Sequence, residues 1–222
     1  MSHIVKITSL KKITHDVLEI RAEKPEGYSF VPGQATEVAI NQPNWLNEKR
    51  PFTFTCLPKH NYLEFVIKTY PDHNGVTNKL LSLKAGDELI LDDSWGDIHY
   101  KNEGVFIAGG AGITPFISIF RDLADSNQIG NNKLIFANKT KADIILKDEL
   151  AGLLNSNFIN ILSVEEDTEF EHGYIDKNFL KNCRLDFDKY FYLCGPEPMM
   201  EAVEKHLRAL GVKQEFIVKE GF

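Results

Sequence analysis

The stretch VFIAGGAGITP, residues 105–115, contains the strongest signal for the fold. Residues 105–108 form a continuous apolar run, as in a strand that is buried on both faces of a sheet. A glycine turn follows, and residues 116–123 then place apolar side chains at the spacing of one helix face. A strand, a glycine turn and a helix in this order indicate an α/β domain with a parallel sheet.

The same alternation continues to the end of the chain. We expect strands at 105–108, 133–137, 158–164, 190–194 and 214–218, and helices at 116–123, 143–154, 176–182 and 198–210. Residues 104–222 are therefore predicted to form an α/β domain with a doubly wound parallel sheet.

The first part of the chain has a different pattern. Short segments rich in apolar and β-branched residues are separated by Gly and Pro, and they predict strands at 3–9, 16–22, 35–40, 52–56, 62–69 and 88–92. One helical segment, 77–83, interrupts them. Six short strands at close spacing predict an N-terminal antiparallel β-barrel over residues 1–98.

Composition excludes several classes of protein. The 222 residues carry a formal net charge of −7, which argues against a nucleic-acid partner. Three widely spaced cysteines cannot supply the four thiolates of a two-iron cluster, and the histidines show no metal-binding spacing, so we expect no metal. No apolar run reaches ~18 residues and residues 1–10 lack a signal-peptide pattern, so we expect no membrane span and a cytoplasmic location. We also expect the protein to be a monomer.

The glycine turn, Gly109 to Ile113, allows two interpretations. Glycines let a backbone approach a phosphate closely, and a helix N-terminus favours an anion. In that case Thr114 caps the helix and Pro115 occupies its first position. Alternatively, the turn only packs a strand against a helix. The turn is not a P-loop, because no Gly-Lys-Ser/Thr follows.

A second turn, Cys194-Gly195-Pro196, follows strand 190–194, with Met199 close behind it. Ligands of doubly wound sheets bind outside the carboxyl ends of the strands, where this turn is predicted to lie. A free cysteine is more often a small buried apolar residue, so both interpretations stay open for Cys194.

A third candidate is RPFTFT, residues 50–55, in which Arg50 precedes an alternating strand. Arginine matches phosphate through its fixed fork of donors, although a solvated edge-strand arginine would give the same sequence. Downstream, Gly75-Val76-Thr77 stands at the predicted start of helix 77–83 and is a candidate for a second anion site.

Together these motifs resemble the ferredoxin–NADP reductase superfamily, in particular its bacterial flavodoxin and ferredoxin reductases. Arg50-Pro51-Phe52-Thr53 is similar to the R-x-Y/F-S/T flavin motif, and Gly75-Val76-Thr77 is similar to the G-x-x-S/T phosphate motif. Residues 110–115 resemble the G-x-G-x-x-P nicotinamide motif, and residues 194–196 resemble the C-G-P/S motif. The last three residues, Glu220-Gly221-Phe222, resemble the family's E-x-aromatic ending.

The resemblance implies a barrel that binds FAD, rather than FMN, and an α/β domain that binds NADH or NADPH. Arg50 would pair with the flavin pyrophosphate, Phe52 would pack on the isoalloxazine, and Thr53 would hydrogen-bond near flavin N5. The cofactor contacts implied by the motifs come from Arg50, Pro51, Phe52, Thr53, Ile67, Lys68, Gly75, Val76, Thr77, Gly110, Gly112, Ile113, Thr114, Pro115, Asn138, Lys139, Cys194, Gly195, Pro196, Met199 and Phe222.

The implied reaction is hydride transfer from nicotinamide C4 to flavin N5, followed by single-electron transfer to an acceptor. Thr53, Cys194, Glu220 and Phe222 are the predicted catalytic residues, with Cys194 and Glu220 shaping the nicotinamide pocket. Residues 136–143 resemble the F-A-N-x-T-x-x-D stretch of NADH-linked cytochrome reductases, which favours NADH. The lysines in the same stretch would instead suit the 2′-phosphate of NADPH.

The acceptor is predicted to be an electron-carrier protein such as flavodoxin or ferredoxin. A basic face for an acidic carrier can be formed by six lysines: Lys11, Lys12, Lys49, Lys68, Lys79 and Lys84. The alternatives are a reductase of small acceptors (free flavin, ferric chelates or quinones), the reductase component of an oxygenase, and a non-catalytic binding protein with the same two domains.

Overall fold

The computed structural model describes residues 2–219, whose contacts divide the chain into two compact units. Unit 1 comprises the residues up to His99 together with Thr114–Asp122. Unit 2 comprises Tyr100–Ile113 and the residues from Leu123 onward. The predicted domains, 1–98 and 104–222, did not anticipate that Thr114–Asp122 would group with the first unit, and their exact boundaries stay a prediction.

Unit 1 contains a six-stranded antiparallel sheet. Its strands are β1 (His3–Lys12), β2 (Val17–Glu23), β3 (Ala35–Ile40), β4 (Arg50–Thr53), β5 (Tyr62–Lys68) and β6 (Glu88–Leu91), in the order β4-β3-β6-β1-β2-β5. A bridge between Phe54 and Phe65 links the chain after β4 to β5, so the sheet closes almost completely. The predicted antiparallel barrel is confirmed.

The barrel strands follow the period-two pattern that their sequence shows. In β1, Val5 and Ile7 are buried while Ile4 and Lys6 face outward. The inward residues join a core of aromatic and aliphatic side chains around Phe54. The helical segment that interrupts the strands is shorter than predicted, because α1 (Val76–Lys79) continues only as a 3₁₀ turn over Leu80–Ser82.

Unit 2 contains a six-stranded parallel sheet. Its strands are β7 (Gly104–Gly109), β8 (Lys133–Asn138), β9 (Phe158–Leu162), β10 (Glu171–His172), β11 (Tyr190–Cys194) and β12 (Ile217–Lys219), in the order β10-β9-β8-β7-β11-β12. The chain adds β8, β9 and β10 on one side of β7 and then returns to place β11 and β12 on the other side. The direction of winding thus changes between β7 and β11, and the predicted parallel sheet is confirmed.

Four helices follow strands of this sheet along the described chain: α2 (Thr114–Asp125), α3 (Lys147–Leu154), α4 (Lys177–Asn182) and α5 (Glu197–Ala209). Most of α2, Thr114–Asp122, groups with unit 1 by its contacts. β7 is buried along its whole length, as its apolar run predicts. None of the helices within residues 2–219 combines the length and the apolar character that crossing a bilayer requires.

Several elements of unit 2 differ from the sequence predictions. The helix expected at 143–154 begins only at Lys147, because the carboxylate of Asp143 accepts hydrogen bonds from the Thr140 N–H and hydroxyl and closes a separate 3₁₀ turn. The last strand is a 3₁₀ turn over Gln214–Phe216 followed by β12. The two-residue strand β10 was not predicted, since it has no apolar run.

Candidate functional site

Arg50 opens β4, at the end of the strand order in unit 1. Its side chain is about half exposed, and its guanidinium donates a 2.6 Å hydrogen bond to the Lys49 carbonyl and lies 3.7 Å from Glu48 Oε2. Neither contact buries the guanidinium, so the fork of donors can bind an anion from solution. Arg50 therefore has the properties that the flavin-pyrophosphate prediction requires, and that role stays a prediction.

The next residues of β4 differ in how they face the core. Pro51 is exposed, whereas Phe52 and Thr53 are half-buried. Phe52 packs against the core of unit 1, on the same face of the strand as the fully buried Phe54. Part of the Phe52 ring therefore packs against the core, and only its exposed part can contact a flavin.

β5 carries the predicted contacts Ile67 and Lys68. Ile67 is buried in the core of unit 1. The Lys68 ammonium lies 2.8 Å from Asp16 Oδ2. Burial alone would raise the pKa of Asp16, but the hydrogen bond and charge of Lys68 lower it below its ordinary value. Lys68 already has an anionic partner, so a contact with a cofactor phosphate requires it to share or exchange that partner.

Gly75 precedes α1 in the predicted phosphate motif. A Cβ added to Gly75 would meet no atom within 4 Å, and its φ of −122° is extended backbone that any residue adopts. Neither crowding nor backbone strain requires a glycine there. Glycine is among the residues favoured at a helix N-cap, and its lack of a side chain also leaves room for a ligand to approach the backbone. Val76 is buried and Thr77 half-buried. The four-residue α1 is too short for a strong helix dipole, so that part of the prediction loses support.

A cluster around a buried carboxylate, which the sequence prediction missed, lies at the junction of β4 and β5. We call Glu64, Thr55, Arg21 and Arg121 the Glu64 cluster. Glu64 is 1% exposed, and its carboxylate accepts hydrogen bonds from all three of the other side chains, at 2.6–2.9 Å. Burial would raise the pKa of Glu64, but Arg121 above all, with Thr55 and Arg21, brings it below its ordinary value.

In unit 2, two turns meet at the carboxyl ends of β7 and β11. The two strands pair in parallel, with Cys194 opposite Ala108. A Cβ on Gly112 would lie 2.3 Å from the Cys194 carbonyl oxygen, and a Cβ on Gly195 would lie 3.0 Å from the Gly109 nitrogen. The turns are therefore packed backbone against backbone. They lie where the strand order reverses, which is the place where open α/β sheets bind ligands.

The glycines of the first turn have different roles. Gly112 is needed for the close approach of the second turn, whereas Gly110 has open space around it and a φ of +52°, in the left-handed region. The turn itself is a 3₁₀ helix over Gly110–Ile113 that leads directly into α2. Thr114 is consequently the first residue of α2 rather than a residue outside it, and Pro115 is the second.

The remaining predicted residues of this site lie close by. Ile113 is fully buried, Cys194 is half-buried at the end of β11, and Pro196 precedes α5 on the surface. Met199 is half-buried, packs against the core of unit 2 and contributes to the close packing around Gly109. The structure thus brings the two predicted nicotinamide motifs together at one edge of the sheet.

Asn138 ends β8, the strand beside β7. Its side chain is 7% exposed, and neither its Oδ1 nor its Nδ2 has a hydrogen-bond partner among the described residues. A buried amide without a partner is unfavourable by about 1–3 kcal/mol, so such a group indicates a missing ligand or water. The neighbouring Lys139 is exposed. Asn138 therefore fits the nucleotide contact that its motif predicts.

Acidic residues after β9 surround the lysine-containing segment after β8. The Glu165 carboxylate accepts a 2.7 Å hydrogen bond from the Lys141 N–H, and the Asp167 carboxylate lies 2.9 Å from the Lys141 ammonium. The hydrogen bond to Asp167 raises the pKa of Lys141. The charge of Lys141 is thus compensated, although the sequence alone made this lysine a candidate for binding a 2′-phosphate.

Glu220 and Phe222, two of the predicted catalytic residues, lie outside the described residues. Thr53 and Cys194, the other two, lie in unit 1 and unit 2 respectively.

One feature of the sequence could have indicated the Glu64 cluster. Glu64 interrupts an otherwise apolar strand, and Arg121 follows the apolar run of α2. Charged residues are seldom buried unless they are paired, so a charged residue within an apolar segment predicts an oppositely charged partner.

Two family models match the chain. The FAD-binding domain family matches residues 2–112, and the oxidoreductase NAD-binding domain family matches residues 106–205. A curated relative, the reductase component of propane 2-monooxygenase from Rhodococcus jostii (strain RHA1), is 29% identical over 238 residues, which cover 98% of this chain and 62% of the relative. The chain spans about 62% to 66% of the length of such relatives.

Solved structures with the same fold cover both units. The flavohem-like FAD/NAD-binding domain of nitric oxide dioxygenase from Vibrio cholerae O1 biovar El Tor has a TM-score of 0.88 at 22% identity, covering 99% of this chain and 98% of that one. A ferredoxin NADP⁺ reductase from Neisseria gonorrhoeae, with bound FAD and NADP, has a TM-score of 0.85 at 19% identity over 99% of this chain and 98% of its own.

Proposed function

Because the chain belongs to the ferredoxin reductase-like family, whose members join an FAD-binding domain to an NAD-binding domain, we propose that it is an NADH-dependent flavoprotein reductase whose electron acceptor is another protein. The observation that carries this proposal is the pair of glycine turns at the reversal of the strand order, beside the unpartnered amide of Asn138. Bound FAD would take an electron pair from NADH and release electrons one at a time.

In the FAD-binding domain, the proposed contacts come from the ends of β4 and β5 and from the segment before α1. Arg50 binds the pyrophosphate through its exposed guanidinium, which favours FAD over FMN because FMN has no pyrophosphate. Gly75 lets a phosphate approach the backbone, and Lys68 of β5 shares its ammonium between Asp16 and a cofactor phosphate. The Thr53 hydroxyl donates a hydrogen bond to the edge of the isoalloxazine, and the exposed part of Phe52 contacts the flat ring system.

In the NAD-binding domain, Gly110 and the start of α2 bind the nucleotide phosphates. The side-chain amide of Asn138 forms hydrogen bonds to the nucleotide, and Cys194 lines the nicotinamide pocket. The preference for NADH is supported by the acidic segment, because Asp167 compensates the Lys141 charge and Glu165 adds a negative charge nearby. A 2′-phosphate would be repelled there, whereas the free hydroxyl of NADH suits a carboxylate acceptor.

The acceptor is proposed to be an electron-carrier protein such as a flavodoxin or ferredoxin, or the oxygenase component of a two-protein system. The second form is favoured by the relatives that are named as reductase components. A general basic face has little support, because Lys49, Lys68 and Lys84 each lie within 4 Å of a carboxylate. Any steering of an acidic partner must come from a local patch.

An acceptor panel tests the proposal. The purified protein, reconstituted with FAD, would be assayed with NADH and NADPH against flavodoxin, ferredoxin, free flavin, a ferric chelate and a quinone. We expect NADH and a protein acceptor to give the highest kcat/KM. Fastest turnover with free flavin or a ferric chelate would favour the small-acceptor alternative. A protein that stays colourless after addition of FAD would favour the non-catalytic alternative.

The cytoplasmic location and the monomeric state stay predictions.

A further inference from the structure

The barrel of unit 1 has one seam that no strand ladder closes. β4 and β5 stand at the two ends of the strand order, and within residues 2–219 they form no continuous ladder with each other. They meet through the Phe54–Phe65 bridge and a 2.9 Å hydrogen bond from the Thr55 N–H to the Glu64 carbonyl. The seam is therefore held by few backbone contacts.

The Glu64 cluster lies directly on this seam. Arg121 Nη1 donates to Glu64 Oε1 at 2.6 Å and to the Thr55 carbonyl at 2.8 Å, so one guanidinium joins both sides. The Thr55 hydroxyl donates to the same carboxylate at 2.9 Å. On the other side of the carboxylate, Arg21 of β2 contacts Glu64 Oε2 through Nε and Nη2, both at 2.9 Å.

Arg121 belongs to α2, and α2 has a second anchor in the same unit. The Gly33 N–H donates a 2.9 Å hydrogen bond to Ser118 Oγ, and Ser118 is fully buried. The guanidinium of Arg121 thus projects from a fixed helix segment onto the seam. A bond between two ionised, mostly buried groups is stronger and more sharply directional than one between neutral groups.

We infer that the Glu64 cluster is a positioning device for FAD, which sets the separation of β4 and β5 where both strands supply flavin contacts. This inference rests on the proposed function. The β4 contacts end at Thr53, two residues before Thr55, and the β5 contacts at Ile67 and Lys68 follow Glu64 by three and four residues. A change in the seam would therefore move the two sets of contacts apart.

Arg121 and Glu64 are then positioning residues. The affinity for FAD distinguishes this role from one that only stabilises the fold. The variants Arg121→Gln, Glu64→Gln and the milder Thr55→Val would be compared with Arg208→Gln, which breaks the Glu204–Arg208 pair in unit 2. Urea unfolding of each apoprotein gives its stability. The dissociation constant of FAD would be measured by titration at a temperature where every apoprotein tested is folded.

We expect Arg121→Gln and Glu64→Gln to weaken FAD binding at least about tenfold, the loss of roughly one charge-assisted hydrogen bond. Thr55→Val should weaken it less, and Arg208→Gln should leave it unchanged. The double variant Arg121→Gln/Glu64→Gln should bind FAD no more weakly than the worse of its two single variants, since both changes break one network. If one variant does not fold, the remaining two decide the outcome.

Two outcomes would overturn the inference in different ways. Wild-type protein that binds no FAD would refute the proposed function together with the role of the cluster. Wild-type protein that binds FAD, with folded variants whose dissociation constants lie within about twofold of the wild-type value, would refute the positioning role alone. In that case the Glu64 cluster would only stabilise the barrel.

Discussion

The variant Gly112→Ala tests the contact between the two turns of the NAD-binding domain. Its added Cβ would lie 2.3 Å from the Cys194 carbonyl oxygen and 2.6 Å from the Gly195 Cα, both of them backbone atoms. Ordinary contact of a Cβ begins at 3.4 Å, so the two turns must separate by about 1 Å. Backbone at the ends of paired strands cannot move away as a flexible side chain would.

The structure sets the size of the effect. Inserting a methyl group into a closely packed region costs about 1–3 kcal/mol of unfolding free energy. A displacement of about 1 Å at a site that positions a substrate can lower its rate by about 100-fold. We therefore expect Gly112→Ala to lose about 1–3 kcal/mol of stability and to lower kcat/KM for NADH by up to about 100-fold, while FAD content stays at the wild-type level.

Two further alanine variants are compared with Gly112→Ala, and the second of them, Gly152→Ala, is the control. At Gly110 an added Cβ meets no atom within 4 Å, but the φ of +52° makes a side chain unfavourable by roughly 1–2 kcal/mol. Gly110→Ala should therefore weaken nucleotide binding by blocking close approach, with a moderate loss of stability. Gly152 lies on α3 with open space, and Gly152→Ala should stabilise the protein by about 0.5–1 kcal/mol without any effect on binding.

Urea unfolding of the apoprotein and steady-state assays with NADH measure these two effects separately. Should Gly112→Ala match the wild type in stability and in kcat/KM for NADH, the turns do not depend on their contact. The assignment of the nucleotide site to this edge of the sheet would then lose its main structural argument.

Four further predictions concern single residues. Arg50→Ala should lose FAD during purification, and full retention would make Arg50 an ordinary edge-strand arginine. Asp167→Asn should release Lys141 and raise the NADPH-to-NADH ratio of kcat/KM, whereas an unchanged ratio would remove the acidic segment from cofactor selection. The resemblance predicts that Phe222 covers the flavin ring where the nicotinamide binds, so Phe222→Ser should tighten binding of oxidised nucleotide by up to about tenfold, since displacing an aromatic stack costs ~0.5–1.5 kcal/mol. Unchanged binding and turnover would mean that Phe222 does not cover the ring. The folded pKa of Glu64 lies below its ordinary 4.5, so its stabilisation is present above pH 4.5 and lost as pH falls through the folded value. Glu64→Gln should therefore lose less stability on acidification than the wild type in urea unfolding, and parallel losses would contradict the pKa shift.

The sequence predicted the architecture because its signals are local. The apolar run of β7 and the alternation along β1 each specify their burial through the residues of one segment. The two turns after β7 and β11 were predicted to lie at the same edge of the sheet, because the carboxyl ends of parallel strands are found there. The structure adds that Gly112 is required for the contact of the turns, while Gly75 is required by nothing in the fold.

The parts that the sequence did not predict depend on distant residues. Glu64 and Arg121 are separated by 57 positions, and neither carries a motif that names the other. Lys141 reads as a free cation in the sequence, yet its partner Asp167 is 26 residues away and follows the next strand. Pairings of this kind become visible only when the strands are ordered in space.

An anaerobic titration of the FAD-reconstituted protein with NADH, followed by the visible flavin absorption, tests whether the protein transfers electrons from NADH to FAD. We expect one NADH per bound FAD to bleach the flavin, NADPH to bleach it more slowly, and Arg50→Ala protein to show no bleaching after removal of free FAD. Wild-type protein that retains no FAD, or that holds FAD which NADH does not reduce, would contradict the proposed function.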